Sequence, residues 1–157
     1  MSQLKNKRRA HSKGEYVNVA YDIYEHTIEF LVRLSPRYGR VYTENAASLA
    51  HKVYDEAEAA QKIYTSDAER IALRKVHLLE ARAALSALDT KLTDIYRVLL
   101  KNPEGAFTTK NGKTVKAADA ERILENMADE LGTMVDLEDA ALAGVLESDQ
   151  KLLKKMK

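Results

Sequence analysis

Apolar side chains recur at steps of three and four along four stretches of this sequence, which predicts four helices. In the first, Tyr21, Tyr24, Ile28, Leu31 and Val32 follow Tyr16. The pattern stops at Leu34-Ser35-Pro36, since proline disfavours helical geometry at the residue before it, and the predicted helix covers about 16–34. The turn Pro36-Arg37-Tyr38-Gly39 leads into a second helix, about 40–63, with Val41, Leu49, Val53 and Ala57 on its apolar face. Thr65-Ser66-Asp67 breaks the pattern. Thr65 or Ser66 is placed to cap a third helix beginning near 66, with Asp67 or Glu69 in its first turn. Its ladder of Ile71, Leu78, Ala81, Leu85, Leu88, Leu92, Ile95 and Leu99 omits only Arg74 and suits a bundle seam, so this helix is expected to be the longest. Residues 102–116 contain Pro103, Gly105 and Asn111-Gly112 and form either a loop or a small hairpin. A fourth helix starts near Ala117 with Ala120, Leu124, Met127, Leu131 and Met134 on one side. Gly132 and the changed pattern after Val135 predict a bend or a second helical piece at 137–155.

The expected fold is therefore all-α: a four-helix bundle over 15–157 behind a disordered basic arm, 1–14. Composition agrees, with only 6 glycines and 2 prolines in 157 residues, and the length suits one domain. Cysteine is absent, which excludes disulfides and thiolate metal sites. The initial charges precede no apolar stretch, and no run approaches the roughly 20 residues that cross a bilayer, so a cytoplasmic protein without a membrane role is expected. The net charge of +1 conceals a segregation. Residues 1–14 carry +5, 15–114 are neutral, 115–150 carry −8 and the final KLLKKMK carries +4.

No catalytic motif is present, and His11, His26, His51 and His77 fall on separate segments with no metal-ligand spacing. Neither an enzyme nor a cofactor is expected. Glu25, Glu29, Asp55 and Glu58 read as solvated faces, and the eight tyrosines read as core and rim packing or as an interface. Cationic candidates for polyanion contact are Lys5, Lys7, Arg8 and Arg9 in the arm, Arg37 and Arg40 beside Arg33 at the first turn, and Arg70 and Arg74 on one helical face with His77. Each cluster is also readable as ordinary solvated surface.

From Tyr24-Glu25 through Leu34-Ser35-Pro36-Arg37-Tyr38-Gly39, and again at Lys62-Ile63-Tyr64-Thr65-Ser66-Asp67-Ala68, the chain resembles the accessory variability proteins of diversity-generating retroelements. These belong to a broader four-helix-bundle family that includes proteins encoded in intervening sequences of 23S ribosomal RNA genes. The resemblance covers about 16–100. It implies a non-catalytic homopentameric barrel that binds its reverse transcriptase and template RNA or DNA and supports mutagenic complementary-DNA synthesis. Arg37, Lys62 and Arg74 are the positions it carries over, and in a five-fold assembly the arms would sit near Arg37 and Arg40. Such proteins are usually strongly basic, and this chain is nearly neutral with an acidic fourth helix. The alternative is a protein-binding helical scaffold with no nucleic-acid role.

Overall fold

A computed structural model describes residues 14–156 and contains α1 (Glu15–Leu31), α2 (Pro36–Gln61), α3 (Ala68–Leu100) and α4 (Ala117–Lys155). The packed pairs are α1 with α2, α2 with α3, α3 with α4 and α4 with α1, so the four helices close a ring around one core. This is the expected all-α bundle. Residues 1–13 of the predicted arm lie outside the described residues.

The ladder on α3 forms the seam. All eight of its apolar residues are buried, as are Ala120, Leu124, Met127, Leu131, Val135 and Leu142 of α4. Leu85→Ala and Leu88→Ala should each destabilise by about 2–5 kcal/mol, since truncation of a buried leucine leaves a cavity as well as losing transfer energy. Urea titrations check this, and an unmoved midpoint would reject the packing.

Several boundaries differ from the sequence expectation, each for a local reason. Proline lacks the N–H that a first helical residue leaves unpaired, so Pro36 starts α2 instead of forming a turn before it. α1 ends at Leu31 because the following residues join the α3–α4 loop: Ser35 N–H donates to Ala106 C=O (2.9 Å) and Thr108 N–H to Arg33 C=O (3.0 Å). The α3 cap is Asp67, whose carboxylate accepts from Arg70 N–H at 2.9 Å, and neither Thr65 nor Ser66 takes that role. The longest helix is α4, at 39 residues against 33 for α3, and it runs without a break through Gly132. A helical glycine costs only about 1 kcal/mol, and the buried stripe continues past it through Val135, Glu138 and Leu142.

The apolar face of α1 is shifted from the one expected, and that of α2 holds through Leu49, Val53 and Ala57 but not at Val41. Tyr16, Val17, Ala20, Ile23, Phe30 and Leu31 carry the α1 core, while Tyr21 and Val32 are exposed. On α2 the alanines 46, 50, 57 and 60 with Val53 are buried, and Val41 is 65% exposed. Three tyrosines sit at the α1–α2 rim, where Tyr54 meets Tyr21 edge-on (5.5 Å) and stacks with Tyr24 (6.3 Å). Glu58, expected in solvent, is buried and accepts from the Tyr54 hydroxyl at 3.0 Å. The loop before α4 does hold a small hairpin, reduced to one bridge between Thr108 and Thr114 and turned at Gly112, whose φ of +77° favours glycine.

Candidate nucleic-acid interface

Because the helices alternate in direction, α1 starts, α2 ends, α3 starts and α4 ends at the same end of the bundle. A buried polar knot fixes that end. Arg74 Nε donates to Asp149 Oδ2 at 2.6 Å and Arg74 Nη1 to the Ala60 carbonyl at 3.2 Å, so one guanidinium ties α3 to α4 and α2. Tyr16 on α1 completes it by donating to Gln61 Oε1 at 2.5 Å. Burial raises the Tyr16 pKa, offset in part by the neighbouring Arg74 charge.

The basic side chains around this knot come from segments remote in sequence. Lys62 caps the C-terminus of α2, Arg70 and Lys75 lie in the first turns of α3, and Lys151, Lys154 and Lys155 lie in the last turns of α4. Residues 1–13, with their five cations, are joined here at Gly14. Among the described residues Lys62, Lys75, Lys154 and Lys155 have no ion-pair partner. Lys151 pairs with Glu147 at 3.2 Å and Arg70 with Asp67 at 3.8 Å, both exposed pairs that a polyanion displaces at little cost.

The opposite end is also cationic. There the α1–α2 turn, with Arg33, Arg37 and Arg40, packs against the α3–α4 loop, with Lys101, Lys110 and Lys113, held by the Leu34–Phe107 bridge and by Asn102 donating to the Tyr38 hydroxyl at 2.9 Å. Formal charge by segment makes the separation plain. Among the described residues, 14–15, 62–75 and 147–156 total +2 at the end where α1 starts and α4 ends, and 32–45 with 97–117 total +6 at the other. The stretches between them, 16–31, 46–61, 76–96 and 118–146, total −13.

The candidate residues read from sequence are thereby divided. Arg37 and Arg40 are exposed at one end, Lys62 and Arg70 at the other, and about 25 Å of α1 separates Gly14 from the first turn. The arm is therefore attached at the end away from Arg37 and Arg40. Lys5, Lys7, Arg8 and Arg9 themselves lie outside the described residues. Arg74 is committed to Asp149, with side chains only 13% and 11% exposed, and is unavailable to a ligand. Its supposed companion His77 pairs with Glu56 at 2.6 Å, so the expected Arg70–Arg74–His77 face does not exist as a unit. Lys151, Lys154 and Lys155 were visible in sequence only as a charged tail; their place beside Lys62 and Arg70 follows from topology.

Little in the molecule suggests chemistry of another kind. Among the described residues no three His, Asp or Glu side chains converge to hold a metal ion, and no helix is long and apolar enough to cross a membrane. A cleft of about 120 Å³ between α3 and α4, bordered by Leu92, Tyr96, Met127 and Gly132, is smaller than the roughly 300 Å³ at which small-molecule sites begin. No family model matches the chain, and no curated protein or solved structure matches it.

Proposed function

We propose that this chain is a non-catalytic accessory protein that binds nucleic acid at the basic ends of its bundle and, as a homo-oligomer, assists the reverse transcriptase of a diversity-generating retroelement in mutagenic complementary-DNA synthesis. The observation that carries the nucleic-acid reading is the charge separation: among the described residues the two ends of the bundle carry +2 and +6 and the stretches between them −13. A phosphate backbone is attracted to the ends and repelled from the waist. The reverse transcriptase and the pentameric assembly rest on the family resemblance of residues 24–39 and 62–68.

Self-association has its own support. Opposite the buried ladder, α3 exposes Ala72, Leu73, Val76, Leu79, Ala83 and Ala87, with Leu73, Val76 and Leu79 about half accessible, and among the described residues no helix covers them. The same face favours the second reading, a protein-binding scaffold without a nucleic-acid role.

Light scattering should give the mass of a pentamer, and the chain should co-elute with its reverse transcriptase and retain template RNA with an affinity that falls steeply with salt. A monomer's mass across micromolar concentrations would remove the assembly. Absence of RNA and DNA binding at low salt, even with the enzyme present, would leave the scaffold.

A further inference from the structure

Between Lys62 and Arg70, the α2–α3 junction carries Tyr64, which at 79% is the most exposed of the large apolar and aromatic side chains. Neither a hydrogen bond nor a ring contact engages it among the described residues. This differs from Tyr16, Tyr24, Tyr38, Tyr42 and Tyr54, which pack in or against the core. The junction lies at the end where α1 starts and α4 ends, so the exposed ring stands among Lys62, Arg70, Lys75, Lys151, Lys154 and Lys155, which outnumber the acids Glu15, Asp67, Glu69 and Glu147 there. Resting on the nucleic-acid reading, we propose that this end is a binding site for single-stranded nucleic acid, in which Tyr64 stacks on an unpaired base while Lys62, Arg70 and the α4 lysines neutralise the neighbouring phosphates.

The choice of a single strand follows from the ring. Cations alone attract any polyanion, and a duplex offers them phosphates with its bases already stacked on one another. An exposed aromatic ring gains only from a base whose face is free, and every base has such a face, so the site is tolerant of sequence. Nothing here reads base edges: the side chains are cations without a helix or ribbon shaped for a groove. The end bearing Arg37 and Arg40 has no comparable ring, since Tyr38 and Tyr42 there are packed against the core.

The test is fluorescence anisotropy on the full chain with a short labelled single-stranded RNA and with the same sequence as a duplex, over a range of salt. Tyr64→Ala should weaken single-strand binding about tenfold with the salt slope unchanged, Tyr64→Phe should retain affinity, and duplex binding should not respond to either. Replacing Lys151, Lys154 and Lys155 together by Gln should flatten the salt slope, by about 0.7 for each phosphate that is no longer neutralised. In a chain that also carries Arg37→Gln and Arg40→Gln, Tyr64→Ala should weaken single-strand binding by the same factor. If the chain binds neither RNA at low salt, the nucleic-acid reading itself fails. If it binds but Tyr64→Ala changes nothing, or the effect of Tyr64→Ala disappears in the Arg37 and Arg40 background, the site is overturned while that reading stands. All these positions are exposed, so unchanged circular dichroism is expected throughout.

Discussion

Glu138→Leu is expected to stabilise the protein by about 3 kcal/mol at pH 7 and by much less near pH 5. Glu138 lies on the buried stripe of α4, is 0% exposed, and has both carboxyl oxygens buried without a hydrogen-bond partner among the described residues. A charge cannot be held cheaply in that position, so the group stays protonated. Burial first, and the nearby Glu15 carboxylate on α1 second, push its pKa from 4.5 up to about 9. Across that interval the folded chain keeps a proton that the unfolded chain has released. The contribution of this one group is therefore fullest below pH 4.5 and falls by roughly 1.4 kcal/mol per pH unit until the folded group also ionises near pH 9. Leucine removes both the linkage and the unpaired polar atoms. Glu138→Gln should flatten the pH dependence while leaving an amide without partners, so its stability should lie between the two. Urea midpoints of the three proteins from about pH 5 to pH 8 decide the matter. Equal pH profiles for wild type and Glu138→Gln would mean that the carboxylate is ionised and satisfied in the folded protein.

Arg74→Met should destabilise by about 3–5 kcal/mol, because it strands the Asp149 carboxylate in a nearly closed site. The Ala60 carbonyl loses a donor in the same substitution, and Tyr16 loses the cation beside it. Arg74→Met with Asp149→Leu should recover most of the loss, since a well-packed apolar pair often matches a buried ion pair in stability. A double-mutant cycle by chemical denaturation measures the coupling. Additive losses would show that the pair is not the unit that holds this end together. The substitutions also separate structure from binding: if Arg74 served nucleic acid directly, the double variant would refold well and bind poorly.

Along one helix, side-chain periodicity is a local property, and it was legible. The α3 ladder from Ile71 to Leu99 could be read directly because each step of three or four returns to one face whatever the helix packs against. The helix count, the Asn111-Gly112 turn and the basic termini were legible for the same reason. Faces of mixed composition were not. On α1 the tyrosines suggested a stripe one step away from the buried Val17, Ala20 and Ile23, because a tyrosine serves equally in a core and at a rim. Nor could the omission of Arg74 from the ladder reveal its cause, since its partner Asp149 is 75 residues away.

The division of the cations has that origin too. Sequence alone determined that the charge is segregated, with +5 at the start, +4 at the finish and −8 before it. Only the tertiary structure decided that the start of α1 and the lysines at the end of α4 share one end with Lys62, Arg70 and Tyr64, while Arg37 and Arg40 face away at the other. The physical reason is the alternation of four long rods. Each helix reverses the direction of the chain, so residues more than a hundred positions apart meet at one end, and residues only one helix apart are separated by its full length.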